Sequence, residues 1–489
     1  MGLMRFICPP DRITESTARQ AYLSGYDKTP WKSQFRLVGN EFQMERSVSD
    51  SGNLHVPWQV PGRGLLALST ATLMERPEPY YLPLELARGK IGQIRNQLGE
   101  WQAMGLSIPP EASERLADAV AFFAQAAVVE HGSKQSNKLS EQAIVKALEA
   151  ADLLAASYAD QVLAARKRGG QKLRSLLGAD LGPAVLDEPT AGQFLETFNT
   201  AIVPLCWRQI ESSQGQFDWQ TSDEQARWSC AGGLRVCAGP LLRFDQAFLP
   251  DWLALYEDDF ENLFSFTTQF IQAAVVRYRG KVDVWICAAR VNASEVLSLT
   301  EEERIRLVAG AVELVRQADR ESPVLVSFDQ PWGEYLNRRA MDFPPLHFAD
   351  ALVRANLGVS GLVLEMNVGY YPGGTLARDP LEFSRLLDYW SLLGVPLFVA
   401  LGVPSNCQTD PLAGRDAAAP ESWSPEAQAE WIDRHFPLLL AKPCVQGVFW
   451  NQLRDAEPHD FAHGGLFDQE RRAKPALARL AAIRRAHLE

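Results

Sequence analysis

The chain reads as an α/β protein. Residues 171–489 form a (β/α)8 TIM barrel, preceded by a small β-rich, sandwich-like domain (1–80) and a helical segment (81–170). Three observations predict this. Short alternating segments separated by turn formers fill the first part, apolar residues at three- and four-residue steps mark the second, and eight brief apolar runs recur between helical stretches in the third.

In the first part, Phe35-Arg36-Leu37-Val38 and Phe42-Gln43-Met44-Glu45-Arg46 alternate in the manner of half-buried strands. Gly39-Asn40, Asp50-Ser51-Gly52-Asn53 and Pro61-Gly62 supply the turns. Such a sheet can serve as a carbohydrate-binding module, with Trp31 and Trp58 as a sugar platform, or can pack on its neighbours with both rings in the core. In the second part three helices are predicted, the last behind an N-cap at Ser140 with a stripe through Ala143, Ile144, Ala147, Leu148 and Ala151. The basic run ending at Gly170 closes that helix as a solvated joint.

The eight runs of the third part are 175–179, 198–205, 234–242, 282–288, 324–328, 361–366, 397–402 and 447–451. A parallel barrel needs eight strands and places its site at their C-terminal ends. The residues just after each run are therefore the candidates.

Composition narrows the partners. With 48 Lys and Arg against 60 Asp and Glu, the net charge is −12, which argues against a nucleic-acid partner, since such binding draws on clustered Lys and Arg. The N-terminus lacks a secretory apolar region, no stretch is long enough to span a membrane, and seven scattered cysteines without CxxC spacing fit reduced thiols. A cytoplasmic location and no membrane partner are expected. The oligomeric state is left open.

Several segments carry a resemblance. Phe198-Asn199, then Trp207 with Ile210-Glu211, Gly215, Phe217, Trp219 and Asp223, form one; Ala238 to Asp245 with Pro250-Asp251-Trp252 form a second. Arg277-Tyr278-Arg279-Gly280-Lys281-Val282 with Trp285 form a third. Gly447-Val448-Phe449-Trp450 with Asp455, and Leu466-Phe467-Asp468 with Lys474-Pro475-Ala476, form the last two. In this order and spacing they resemble the family 10 glycoside hydrolases, endo-xylanase-type barrels.

That resemblance implies a barrel cleaving β-linked xylose polymers with two glutamates, and here this sequence departs. Arg290 stands where the family keeps its acid/base, behind Ala289 in place of an asparagine, and Ala400 stands where it keeps its nucleophile. Ile202, Val203 and Cys206 fall at sugar-contacting positions, and Pro240 and Asp245 at two customary histidines. A retaining glycosidase needs two carboxyl groups about 5–5.5 Å apart, and neither Arg290 nor Ala400 supplies one.

Polar residues nevertheless follow the strands: Arg290 and Asn292; Asp329, Trp332 and Glu334; Glu365, Asn367 and the Tyr370-Tyr371 pair; Trp450, Asn451 and Asp455. Aromatic faces with fixed polar groups suit a carbohydrate or other polyhydroxylated ligand. The expectation is a barrel that has lost its standard catalytic pair and binds such a ligand or acts as a scaffold. The alternatives are an active O-glycosyl hydrolase with carboxylates relocated to Glu365 and Asp329, or an assembly protein using residues 82–168. Glu365 either joins a new acid/base pair, contacts ligand, or forms an ion pair with Arg290. His459 and His463 would make a metal site only on a helix, and Pro458 and Gly464-Gly465 argue for a loop, so neither metal nor cofactor is expected.

Overall fold

The computed structural model describes residues 2–10, 12–47, 49–167, 170–293, 296–339, 341, 343–370, 372–418 and 423–489. Eight parallel strands form the barrel: β1 Leu176–Asp180, β2 Thr200–Val203, β3 Arg235–Ala238, β4 Val284–Ala289, β5 Val324–Asp329, β6 Gly361–Asn367, β7 Leu397–Gly402 and β8 Val445–Trp450. They pair in the order β3-β2-β1-β8-β7-β6-β5-β4, and pairing of Cys237 with Val284 and of Ala238 with Trp285 closes the ring.

Seven strands coincide with the predicted runs to within two or three residues at each end. The third does not extend to residue 242. It stops at Ala238, and the chain resumes as a two-residue strand, Leu242–Arg243, beside the end of β4. The break is set by Gly239-Pro240: Pro240 has no N–H for the ladder, and Gly239 sits at φ +124° with Ile286 O so near that a Cβ would lie 2.2 Å from it.

Alternation along the strands divides the apolar residues between two cores. Ile202, Cys237, Ile286, Leu325, Val363, Phe398 and Phe449 fill the barrel interior, with Phe398 and Phe449 stacked at 5.8 Å. The opposite face packs on the surrounding helices.

The first part is two four-stranded sheets. Trp58 is buried in their core, and Trp31 lies under the Arg46 guanidinium at 4.6 Å. Three helices follow: α1 Leu82–Ala103, α2 Pro110–Val128 and α3 Lys134–Arg166. The α3 N-cap is Ser133, accepting from Ser136 N, not Ser140. The buried stripe runs on upstream through Leu139 and Ser136, so Ser140 is buried about two turns into the helix. α1 and α3 are buried on two sides, contributing Leu86 and Leu148 to the N-terminal core and Ile94 and Leu154 to the core around the barrel. These faces are therefore covered by the chain itself.

The N-terminal sheets sit on the loops after β5 and β6. Ala67 N donates to Ala377 O at 2.7 Å, Ser33 Oγ to Asn337 Oδ1 at 2.5 Å, and the buried Lys90 ammonium meets Asp379 at 2.6 Å. Among the described residues no helix is long and apolar enough to cross a membrane. All seven cysteines are free thiols.

Candidate functional site

The strand register places three residues of interest side by side. Asp329 on β5 pairs with Glu365 on β6, which pairs with Ala400 on β7, all at the C-terminal end. Arg290 follows β4 and Gln330 follows β5, and both hold left-handed backbone angles, φ 55° and 48°. A non-glycine residue in that region is strained and needs surrounding support.

For Arg290 the support is a cage of carboxylates. Its Nε and Nη2 donate to Glu365 Oε1 at 3.2 and 2.8 Å, Nη1 donates to Asp245 Oδ2 at 2.5 Å, and Nη2 also reaches Asp460 Oδ2 at 2.8 Å. The guanidinium lies over the Phe461 ring at 5.5 Å. Arg243 joins the cluster through Asp245 at 3.2 Å and through Asp460. Asn367 Nδ2 donates to Glu365 Oε1 at 2.9 Å, and Asn451 Nδ2 donates to Asn367 Oδ1 at 2.9 Å, which holds the carboxylate from its other side.

The electrostatics follow from burial and these partners. Burial alone would push Glu365 up, but Arg290, Arg243 and the Asn367 hydrogen bond outweigh it and hold the carboxyl below its usual range. Burial opposes the charge on Arg290 too, and Glu365, Asp460, Asp329 and Asp245 more than restore it. Asp329 differs: burial first, then neighbouring Glu365, push it up to about 6, and its Oδ1 is buried without a hydrogen-bond partner. Asp180, at the end of β1, is also pushed up to about 6 by burial.

A cavity of about 250 Å³ opens over the barrel, lined by Asp180, Gln209, Arg243, Arg290, Glu365, Ala400, Asn451, His459, Asp460 and Phe461. Asp329 faces a separate hollow of about 320 Å³ with Gln330, Arg339 and Arg415. Arg290 lines both and stands between them.

Of the residues singled out from the sequence, the cavity thus gathers Arg290, Glu365, Asn451 and His459, with Asn367 hydrogen-bonded to Glu365 and Asn451. The others are held elsewhere. Asn292 bridges Asp329 O and the Tyr335 hydroxyl at 2.8 and 2.9 Å. Trp332 lies under the Arg378 guanidinium at 4.2 Å, and Glu334 pairs with Arg378 at 2.7 Å, both beneath the N-terminal sheets. Tyr370 donates to Ala462 O at 2.9 Å and Trp450 Nε1 to Gly464 O at 2.9 Å. Asp455 meets Lys474 at 2.5 Å in a buried pair. Tyr371 lies outside the described residues.

Arg243, Asp180, Gln209, Asp460 and Phe461 were not picked out as site residues. Asp180 directly follows the first apolar run and was open to the strand-end rule. Asp460 was not: it lies on a short strand, His459–Phe461, paired with Ala413–Arg415 beyond β8. That strand also decides the histidines. His459 Nε2 and the His463 backbone N–H both meet Asp410 Oδ2, at 3.1 and 3.3 Å. Among the described residues, no group of three His, Cys, Asp or Glu side chains is placed to hold a metal ion.

The barrel has solved counterparts. Xylanase 10B from Thermotoga maritima superposes with a TM-score of 0.50 at 15% identity, covering 67% of this chain and 97% of that one. Its fold is that of a family 10 xylanase. Xylanase 10B from Thermotoga petrophila in complex with xylobiose (TM-score 0.49, 15% identity, 68% and 96% covered) and xylanase B from Clostridium stercorarium (0.48, 16%, 65% and 97%) are similar to the same extent. No family profile and no curated protein matches the sequence. The likeness is one of fold and covers about two thirds of this chain.

Proposed function

We propose that this xylanase-like barrel no longer hydrolyses glycosides and instead binds a carbohydrate or similar polyhydroxylated ligand in its mouth. The observation that carries the reading is Arg290, fixed by Glu365, Asp245 and Asp460 where the family resemblance calls for a proton donor. An arginine stays protonated and cannot deliver a proton to a leaving oxygen. Ala400, where the resemblance calls for a nucleophile, offers no atom to attack an anomeric carbon.

The rival, with Glu365 and Asp329 as a new pair, has less support. Glu365 is held ionised by Arg290, and the two carboxyl groups open into different hollows with the guanidinium between them. Binding is favoured by the remaining walls. Gln209, Asn451, Asp180 and Arg243 supply donors and acceptors beside the rings of Phe248, Phe449 and Phe461, a mixture that reads hydroxyls and covers sugar C–H faces.

The test is a thermal-shift and hydrolysis screen of the full chain and of Glu365→Gln over plant and bacterial glycans, beginning with xylo-oligosaccharides. Saturable stabilisation without turnover is expected. Turnover that Glu365→Gln abolishes overturns the reading.

A further inference from the structure

The hollow of about 320 Å³ beside the mouth has the size of a small-molecule site, at the lower end of the usual range of roughly 300–1,000 Å³. Among the described residues its charged lining is Arg290, Arg339, Arg415, Asp245 and Asp329. Arg290 and Asp245 pair with each other at 2.5 Å. Glu365 and Asp460, the other two carboxylates on Arg290, line the mouth and not the hollow. What remains to face a ligand is Arg339, Arg415 and Asp329.

Among the described residues neither of these arginines forms an ion pair. Arg339 Nη1 donates to Ala293 O, and Arg415 Nη1 donates to Gly373 O at 3.2 Å while its guanidinium lies over the Phe461 ring at 5.2 Å. A guanidinium has five N–H donors, so most remain unused. Both side chains are half-buried, and their unused nitrogens stay open to solvent, within reach of a ligand. Burial, and then the neighbouring Arg290, hold the Arg415 guanidinium below the usual arginine range, although Asp329, Asp460 and Asp245 oppose them. Arg415 keeps its charge all the same, and a charge so enclosed is ordinarily met by an opposite one. Asp329 does not fill that role: it is 3% exposed, pairs with neither arginine, and its Oδ2 accepts from Gln330 Nε2 at 3.3 Å.

These charges select the ligand. Two open guanidinium groups against one turned-in carboxylate leave the hollow a single positive charge in excess. A cation would be repelled by both arginines, and a neutral molecule would leave both unmatched. A dianion such as phosphate exceeds the excess beside Asp329 and Asp245, whereas a monocarboxylate matches it and fits the guanidinium fork. Gln246 also lines the hollow, and its exposed amide makes no hydrogen bond among the described residues, which leaves it to read hydroxyls on the same molecule. We propose that this hollow binds a sugar acid, a uronate or an aldonate, through Arg339 and Arg415, at a site beside the mouth and independent of what the mouth binds. Asp329 then sets a pH dependence. It faces Glu365, Arg290 and Arg415 as well as the hollow, and its protonation as pH falls through about 6 removes a repulsion on the incoming carboxylate.

The experiment is calorimetric titration of the full chain with sodium D-glucuronate, D-galacturonate and D-gluconate, and with D-glucose and inorganic phosphate for comparison. Each is taken to about 50 mM at constant ionic strength, so that millimolar affinity registers. At least one sugar acid should bind saturably, about tenfold or more tightly than glucose or phosphate. Arg339→Gln and Arg415→Gln should each weaken that binding by about tenfold, the scale of one well-placed hydrogen bond, and Arg415→Lys, which keeps the charge, should weaken it less. Affinity should rise from pH 8 to pH 5, and Asp329→Asn should bind more tightly at pH 8 and lose most of that rise. Circular dichroism confirms that each variant is folded; should the arginine variants fail to fold, Asp329→Asn and the pH series of the native chain decide. Absence of saturable binding by all three sugar acids overturns the proposal. So does glucose or phosphate binding as tightly as they do, or affinity that falls toward pH 5. Sugar-acid binding that neither Arg339→Gln nor Arg415→Gln weakens places the ligand elsewhere and overturns it as well.

Discussion

Replacing Arg290 by methionine keeps most of the side-chain volume and removes the charge, leaving Glu365, Asp245 and Asp460 around an uncharged group. Arg290 and Glu365 are 4% and 7% exposed, so water at the cavity wall replaces only a small part of the lost solvation. Removing one partner of a buried ion pair typically costs about 3–5 kcal/mol, because the other charge stays buried and uncompensated. That range is expected for Arg290→Met at pH 8, with Arg243 limiting it by remaining near Asp245 and Asp460.

The pH dependence sharpens the prediction. In the native chain Glu365 is held below its usual range, so its contribution is present above the unfolded value of about 4.3 and is lost as pH falls through the lower folded value. In Arg290→Met burial is no longer offset by the Arg290 guanidinium and raises the Glu365 carboxyl, so the folded variant takes up a proton more readily than the unfolded chain. The deficit should therefore shrink as pH falls from 8 to 5. Urea denaturation followed by tryptophan fluorescence at both pH values reads this directly. Adding Glu365→Gln to the variant should restore part of the loss, as expected for coupled neighbours. A deficit under about 1 kcal/mol at pH 8, or one that grows toward pH 5, refutes the view that buried charge compensation organises the mouth.

Other expectations follow from the same physics. Asp329, raised to about 6, takes up a proton on folding between its unfolded and folded values, so its burial penalises stability as pH rises through about 6; Asp329→Asn should remove that dependence and stabilise the protein by roughly 1–3 kcal/mol at pH 8, measured by denaturation at pH 5 and 8. Lys90→Met strands Asp379 between α1 and the barrel and should cost about 3–5 kcal/mol in urea titrations; a change below about 1 kcal/mol would show that this contact does not hold the two parts together. Ser133→Ala removes the α3 N-cap and should cost about 0.5–2 kcal/mol by thermal denaturation, whereas Ser140→Ala, whose hydroxyl has no partner, should cost less.

The periodicity of apolar residues located the barrel because each buried strand must be a short apolar run and each covering helix must show an apolar stripe; β7 was legible to the residue for that reason. Local rules failed where local signals competed. Ser140 had the chemistry of a cap, but the stripe continued upstream and Ser133 took the role. The third run was apolar through residue 242, but Gly239-Pro240 broke its ladder. At the mouth, proximity to a strand end was enough to nominate Arg290, Glu365 and Asn451.

The strand-end rule could not say which way each neighbour turns. Asp455, Trp450 and Glu334 sit at equally good positions in the sequence and are drawn into Lys474, Gly464 and Arg378 instead. Asp460 and Phe461 reach the cavity only because a short strand beyond β8 pairs with residues more than forty positions earlier in the chain. The sequence by itself determined the fold and the charges available at the mouth, since both depend on residue type and spacing. Which carboxylates cage Arg290, and that Arg339 and Arg415 share a hollow beside it, only the tertiary structure decided, because both arise from segments distant in the chain whose pairing leaves no periodic mark.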